Sequence, residues 1–237
     1  MINKALKNIV ITGASSGSGL SISKLFIHKG WNVIGLARTE ANLQLVRDEL
    51  GKNFNFYTVD ISKSESVKKV FDAIYGAFGL IDVLVNNAGV FEMKPFLDSS
   101  IENIDRIIDI NLKGTIYCTF NAIKFLKPKI GRVINIGSVA GEHGIKNQSI
   151  YSATKFGING FADSLNQELL ESGISLSNIC PGGVNTPLWN EKNQYPDKDK
   201  SKILRGNDIA NIVEYIVNQP SNVIIKKIVV FPINEWH

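Results

Sequence analysis

The sequence predicts a single α/β domain spanning residues 1–237, a doubly wound parallel sheet of seven strands with helices on both faces. Three observations predict it. Short β-branched runs alternate with longer helical patterns from end to end, which is the signature of stacked βαβ units. The 237 residues are 44% hydrophobic and 20% charged, enough for one core, since a chain of this size buries roughly 70–75% of its unfolded surface without disulfide or metal staples. A glycine-rich turn stands at the first strand-to-helix junction, where the backbone must change direction sharply.

The elements follow in order. Residues 8–12 read as a strand, 19–29 as a helix, 32–37 as a second strand and 41–50 as a second helix. A third strand covers 54–59, and the helix over 64–77 carries Val67, Val70, Phe71 and Ile74 at three- and four-residue spacing. Strand four is 82–86. One long helix is predicted from Glu102 to about Leu126, ending before Pro128, and strand five, 132–137, follows the turn at Gly131. The next helix spans about 150–171 and is stopped by Gly173. Strand six is 175–180, the last helix 208–218 stops before Pro220, and 223–231 closes the sheet as strand seven. One segment breaks the alternation. Residues 187–206 hold seven charged side chains over their middle with Trp189 and Tyr195, and about 20 residues without clear structure in a compact domain favour a lid over a plain surface loop.

Composition narrows the partners. Lys plus Arg number 26 against 22 Asp plus Glu, a formal charge of +4, but the charges are scattered with no basic run to track a phosphate backbone, so nucleic acid is not expected as a partner. Nowhere do about 20 apolar residues follow one another, and the N-terminal apolar run is too short for a signal core, so neither a membrane span nor an export signal is expected. Cys118 and Cys180 stand far apart in apolar context and read as reduced, buried thiols. The expected location is the cytoplasm, and no metal is required. His28, His143 and His237 need no catalytic role, His143 reading as a loop histidine.

The turn Thr12-Gly13-Ala14-Ser15-Ser16-Gly17-Ser18-Gly19 lies between the first strand and the first helix. Without Cβ atoms the backbone can approach a pyrophosphate, whose charge meets free N–H groups and the positive end of the helix dipole. The end of strand two distinguishes the two nicotinamide dinucleotides, because an acidic residue there grips the ribose 2′-OH of NAD. The sequence instead reads Gly35-Leu36-Ala37-Arg38-Thr39. A guanidinium suits bidentate contact with a 2′-phosphate, so NADP(H) is favoured over NAD(H). Asp60, after strand three, is placed either to contact the adenine ring or to cap the turn into the next helix.

Tyr151 and Lys155 are four apart on a predicted helix and so share one face. Ser138 falls just past strand five, at the carboxyl edge where open α/β sheets bind ligands. Moving a hydride onto a carbonyl leaves negative charge on oxygen, so a donor must supply a proton as that charge develops. Tyr151 is the candidate. Bringing a phenol from near 10 to near 7 requires about 4 kcal/mol, the size of the attraction between charges about 4 Å apart at an effective dielectric near 20, so a close Lys155 ammonium is of the right order. Desolvation opposes the shift, and the positive charge of an oxidised nicotinamide would have to assist.

Taken together, Thr12 to Gly19, Asn86-Asn87-Ala88-Gly89, Asn111, Ser138, Tyr151 with Lys155, and Pro181-Gly182 with Thr186 resemble the single-domain short-chain dehydrogenase/reductase family, in order and spacing, over about residues 7–231. The resemblance implies a Rossmann-type domain and catalysis by Asn111, Ser138, Tyr151 and Lys155. It implies cofactor contacts from Thr12, Gly13, Ser15, Ser16, Gly17, Ser18, Gly19, Arg38, Asp60, Ile61, Asn87, Ala88, Gly89, Tyr151, Lys155, Pro181, Gly182, Val184 and Thr186. Asn86 is then the residue that steadies strand four, Asn111 the one that bends its helix and anchors a water relay to Lys155, and Thr186 a nicotinamide carboxamide contact. Ser18 stands where the family usually has isoleucine, and the chain's end lacks the glycine-rich finish common in ketoacyl-carrier-protein reductases.

The reading is an NADP(H)-dependent oxidoreductase interconverting a carbonyl and an alcohol, with an NAD-dependent alcohol dehydrogenase or a catalytically idle NADP(H)-binding protein as alternatives. Its pocket is expected to be walled by Phe91, Met93 and Phe96, by the loop from His143 to Lys146, and by Trp189 and Tyr195, which favours a moderately hydrophobic substrate. Leu112, Ile116, Phe120 and Ile123 on one helix, with Phe156, Ile158, Phe161 and Leu165 on the next, offer more apolar surface than one sheet face needs. A homotetramer or homodimer is expected.

Overall fold

A computed structural model describes residues 6–191, 193 and 202–235. Nine strands and seven α-helices are described: β1 Asn8–Thr12, α1 Gly17–His28, β2 Asn32–Ala37, α2 Glu40–Leu50, β3 Phe54–Thr58, α3 Ser64–Phe78, β4 Val83–Asn86, α4 Ile101–Ile108, α5 Gly114–Ile123, β5 Arg132–Ile136, α6 Ser149–Glu168, β6 Ser175–Pro181, β7 Val184–Asn185, β8 Leu204–Arg205, α7 Gly206–Val217 and β9 Lys227–Val230. Seven strands form one sheet in the order β3-β2-β1-β4-β5-β6-β9, every neighbouring pair parallel. The winding reverses between β1 and β4, and the crevice outside the strand ends at such a reversal is where open α/β sheets bind ligands.

Alternation along the strands builds two cores. Val10 and Leu84 point to one face, packing with Val67, Phe71, Ile74, Cys118 and Ala162 from α3, α5 and α6. Ile9 and Ile11 point to the other, packing with Ile22, Phe26, Leu43, Val46, Ile209 and Val213 from α1, α2 and α7. Side chains two apart share a face, so a strand buried on both sides reads as the continuous apolar run seen in β1.

Two expected elements differ. The single helix over 102–126 is instead α4 and α5 joined by a π turn, Asp109–Lys113. One extra residue per turn there swings Asn111 toward the loop after β4, and the Asn111 side chain replaces the contacts a straight helix would have made. The closing strand over 223–231 shrinks to Lys227–Val230. The buried Arg132 guanidinium donates to the carbonyls of Gln219 at 2.6 Å, Pro220 at 3.1 Å and Val223 at 3.4 Å, which fixes the chain leaving α7 side-on to the sheet edge before pairing begins. The helix over 150–171 ends three residues early in a short turn, Leu170–Ser172, and Gly173 then takes a left-handed φ of 65°.

The candidate active site

Gly13 and Gly17 shape the turn after β1, both with positive φ, 67° and 54°, a region costly for residues with a Cβ. At Gly13 a Cβ would also stand 2.9 Å from Ala88 Cα. The turn is clamped to the loop after β4: Thr12 Oγ1 accepts from the N–H groups of Asn87 and Ala88, each at 3.0 Å, and Asn87 Nδ2 donates to the carbonyls of Thr12 and Gly13 at 3.0 and 3.2 Å. Thr12 is therefore buried behind the turn, and Gly19 sits where its missing side chain leaves room for the Gly13 carbonyl.

Two hollows open on this clamp. A cavity of about 500 Å³ is lined by Gly13, Ser16, Gly17, Ser18, Asn87, Ala88, Gly89, Ser138, Tyr151, Lys155, Pro181, Gly182, Val184 and Thr186, among others. A smaller hollow of about 160 Å³ is lined by Ser15, Arg38, Asp60 and Ile61, and it shares Gly13, Ala88 and Gly89 with the larger one. The two therefore lie side by side, an extended trough of the kind a dinucleotide needs, with a side-chain-free backbone in the middle. The exposed Arg38 lies at the far end. Asp60 Oδ1 accepts from the Ser62 N–H at 3.0 Å and hydroxyl at 2.7 Å, so it caps the turn as well as lining the hollow. Burial pushes its carboxyl up, but those Ser62 bonds and the nearby Arg38 charge outweigh it and hold the group below its ordinary value.

Ser138, Tyr151 and Lys155 converge on the larger cavity from two elements, the end of β5 and the first turns of α6. Lys155 is only 6% exposed. Its Nζ donates to the Ile136 carbonyl at 2.9 Å and lies 5.4 Å from the centre of the Tyr151 ring. Burial drives the Tyr151 phenol up to about 12, partly opposed by a hydrogen bond with Ser138, and drives the Lys155 ammonium down to about 8. The lysine thus stands over the ring without bonding the phenol oxygen. Burial is thus the main cause that holds the Tyr151 phenol above its ordinary value, with the Ser138 hydrogen bond opposing it.

The Lys155 shift fixes a stability signature. Below pH 8 the ammonium stays charged whether folded or unfolded and its burial cost is fully present. Between pH 8 and 10.5 the unfolded chain holds a proton that the folded one has lost, so stability rises with pH. Below pH 10 Tyr151 stays protonated in both states. Urea denaturation at pH 8 and 10 is therefore expected to show the parent protein gaining about 2–3 kcal/mol relative to Lys155→Met; a constant difference would contradict the shift.

Asn111 is 1% exposed and lines neither hollow. It accepts from the Val90 N–H and donates to the Val90 carbonyl, both at 2.8 Å, and reaches Thr154 Oγ1 at 3.5 Å, whose hydroxyl donates to the Tyr151 carbonyl at 2.7 Å. It thus joins the π turn to the loop after β4 and to the turn of α6 that carries Tyr151. Asn86 begins a ladder that sequence reasoning did not foresee. Its Nδ2 donates to Asn135 and Thr119 at 2.9 Å, Asn135 donates to Asn178 at 2.9 Å, and Asn178 to Asn159 at 3.0 Å. Asn159 donates to the Gly141 carbonyl at 3.0 Å and Glu142 at 2.8 Å, which ties the Ser138 loop to α6. The available signal was one asparagine in each of three consecutive strands, flanked on both sides by apolar residues in β5 and in register across β4, β5 and β6.

Of the residues expected to wall the pocket, some line this cavity and others do not. Phe91 meets Tyr151 edge-on at 4.9 Å and Trp189 at 5.1 Å, and Phe91, Ile145, Gln148, Leu188 and Trp189 line the cavity. Phe96 does not: it is 58% exposed, carried outward by the turn at Pro95. Met93 does not line the cavity either: its N–H donates to Asn193 Oδ1 at 2.9 Å while Asn193 Nδ2 donates to the Phe91 carbonyl at 3.0 Å, which holds this stretch of backbone beside the cavity. His143 and Lys146 also stand off the cavity, with only Ile145 of their loop reaching it. At the base of the segment 187–206, expected as a lid, β7 pairs in parallel with β8. Tyr195 and most of the segment's middle lie outside the described residues.

Comparison with known proteins places this geometry. The family described as short chain dehydrogenase matches residues 7–197. The chain is 32% identical over 228 residues to an uncharacterized oxidoreductase of Staphylococcus epidermidis, covering 96% of this chain and 97% of the relative, and 33% identical over 229 residues to one of Staphylococcus aureus, with the same coverage. Among solved structures it resembles the closed form of a serine dehydrogenase complexed with NADP+, at 29% identity and TM-score 0.90, covering 97% and 96% of the two chains. It also resembles an alcohol dehydrogenase of the archaeon Thermococcus sibiricus complexed with 5-hydroxy-NADP, at 25% identity and TM-score 0.88, covering 98% and 99%. The chain therefore belongs to the short-chain dehydrogenase family and is an oxidoreductase of it.

Proposed function

We propose that this oxidoreductase is NADP(H)-dependent and interconverts a carbonyl and an alcohol, working in the cell as a ketone or aldehyde reductase. The observation that carries the reading is the convergence of Ser138, Tyr151 and Lys155 on the cavity that the glycine turn opens. Gly13, Ser15 to Ser18 and Asn87 to Gly89 would hold the dinucleotide along the trough, with Thr186 and Val184 at the nicotinamide end, and the bound nicotinamide would supply or accept the hydride. Ser138 Oγ would hold the substrate oxygen. The Tyr151 hydroxyl would give that oxygen its proton as negative charge develops. Lys155, freed from part of its bond to Ile136, would hold the phenol and a ribose hydroxyl in line, and Asn111 would keep the π turn open for a water chain leading to it. The apolar lining of Phe91, Val139, Ile145, Leu188 and Trp189 suits a moderately hydrophobic substrate.

Arg38 supports NADP(H), and both named structural relatives are complexed with NADP-type nucleotides. Replacing Arg38 with Ala is expected to weaken NADPH binding by about 10- to 100-fold, the loss of a charge-assisted bidentate contact, while NADH binding changes by less than about threefold. Fluorescence titration of the two cofactors against both proteins reads this, and equal losses would reject the contact. Tight NADH binding with none of NADPH would favour the NAD-dependent reading, and cofactor binding without turnover of any carbonyl or alcohol would favour an idle binding protein.

A homotetramer or homodimer belongs to the same proposal. Phe120 and Phe156 stand 64% and 45% exposed beside half-buried Leu112 and Ile116; Ile158 is spent in the chain's own core. Sedimentation at micromolar concentration is expected to show an assembly, and a monomer alone would remove it. Cytoplasmic placement rests on Cys118 and Cys180, both free and buried.

A further inference from the structure

Among the described residues that line the cavity of about 500 Å³, two polar side chains are buried, Lys155 and Gln148. Lys155 belongs to the proposed reaction; Gln148 has no part in it. The backbone of Gln148 is fixed on every side. Its N–H donates to the Ile145 carbonyl at 3.1 Å, its carbonyl accepts from the Ser152 N–H at 2.7 Å, and the carbonyl of Asn147 before it, at a left-handed φ of 65°, accepts from the Lys94 N–H at 2.9 Å. The side chain is less well served. Gln148 is 9% exposed, does not cap α6 with its amide, and among the described residues that amide reaches only Met93 Sδ, at 4.0 Å. A primary amide offers two donors and a carbonyl acceptor, and a thioether is a weak acceptor. Most of the hydrogen-bonding capacity of Gln148 is therefore left to the cavity it lines, in company with Phe91, Ile145, Leu188 and Trp189. The C-terminal end of the same wall differs: Asn234 is exposed, and Glu235 Oε2 accepts from the Gly183 N–H at 2.7 Å.

We infer that Gln148 determines specificity, so that the site takes hydroxyketones and the matching diols, which carry a second neutral hydroxyl near the reacting carbon, in preference to plain ketones and alcohols of the same size. This rests on the carbonyl–alcohol reading above and goes beyond it by naming the substrate class. Gln148 stands three residues before Tyr151 on the turn that opens α6, and side chains at that spacing start about 5–6 Å apart. One small molecule with its carbonyl at Tyr151 can therefore set its next polar group against the amide. A hydroxyl suits that amide because it both donates and accepts. A methyl group in its place leaves the amide desolvated and unpaired, a cost incurred on binding. Hydroxyl and methyl compounds are both neutral, so the Lys155 ammonium does not sort them by charge.

The test compares 4-hydroxy-2-butanone with 2-pentanone, which share a methyl ketone and differ by a hydroxyl for a methyl. Nicotinamide absorbance gives kcat/KM for each with the parent and with Gln148→Met, whose unbranched side chain fills similar space and keeps the backbone bonds. The parent is expected to favour the hydroxyketone by about 5- to 50-fold, and in Gln148→Met the ratio is expected to fall to within about twofold. A merely structural role would slow both ketones alike and leave the ratio standing. A parent with no preference, or a ratio unmoved by the substitution, would overturn the inference. The same pair is titrated into the NADP+-loaded protein by tryptophan fluorescence, Trp189 lying in the wall, where no turnover is needed. The parent is expected to bind the hydroxyketone more tightly, and equal binding there overturns the inference without recourse to a variant. If neither ketone turns over with either cofactor, the carbonyl–alcohol reading fails while the binding ratio still judges Gln148.

Discussion

Replacing Tyr151 with Phe is expected to lower kcat for any carbonyl substrate by about 10³- to 10⁴-fold, the upper range for removing a general acid, while the NADPH dissociation constant moves by no more than about twofold. The ring is kept by the substitution, so its edge contact with Phe91 and its place beneath the Lys155 ammonium survive, and the fold should too. What is lost is one hydroxyl, the group that bonds Ser138 and faces the cavity. Steady-state nicotinamide absorbance measures the rate and fluorescence titration the binding. A variant that keeps a tenth or more of the parent rate would mean that another group supplies the proton. Burial pushes the Tyr151 phenol up to about 12, and the hydrogen bond with Ser138 opposes that rise.

The second large effect is structural. Gly19→Ala adds a Cβ that would collide with the Gly13 carbonyl oxygen and stand 2.6 Å from Asn87 Nδ2. Both obstacles belong to the clamp between the glycine turn and the loop after β4, so relief requires moving backbone and breaking the Asn87 bonds at 3.0 and 3.2 Å. Overpacking of this kind costs about 1–3 kcal/mol, and the lost side chain-to-backbone bonds add about 1 kcal/mol more. The variant is expected to unfold at a urea midpoint lower by the equivalent of about 2–4 kcal/mol and to bind NADPH at least about tenfold more weakly, since the displaced Gly13 also lines both hollows. A variant of unchanged stability and affinity would show that the turn is not held as described. Glycine at position 19 thus serves packing first, and the ligand through it.

The architecture was legible because its signals are local and periodic. β1 reads as a strand since five consecutive residues are buried on both faces, and α3 declares itself through apolar residues at helical spacing. What escaped was decided by single side chains reaching far along the sequence. The π turn at Asp109–Lys113 depends on Asn111 bonding Val90, 21 residues away, and a periodicity argument carries a helix straight through it. The late start of β9 depends on Arg132 holding carbonyls some 90 residues on, a bond no local pattern reveals.

The same division holds for the site. The glycine turn, Ser138, and Tyr151 with Lys155 were visible because their residue types are chemically demanding and their places in the winding are fixed. Walls are less constrained. Phe91 and Trp189 face the cavity while Phe96, equally aromatic and only five residues from Phe91, is turned out to solvent. Glu235 was invisible as a site residue because nothing in Pro232 to Glu235 marks the segment as returning to Gly183, a contact across 52 positions. The asparagine ladder lay between these cases, since its pattern was present in the strands but its meaning depends on the sheet order.

The central claim is that a phenol beside Lys155 protonates the oxygen of a carbonyl as hydride arrives from a nicotinamide held against the glycine turn. It is tested most directly with NADPH carrying deuterium at the transferred C4 position and a panel of ketones and aldehydes, the alcohol product being analysed by mass spectrometry. The account predicts one deuterium on the carbinol carbon for each NADPH consumed by the parent protein, and no measurable product from Tyr151→Phe over the same time. NADPH consumed without label in the product, or labelled product formed equally well by Tyr151→Phe, would contradict it.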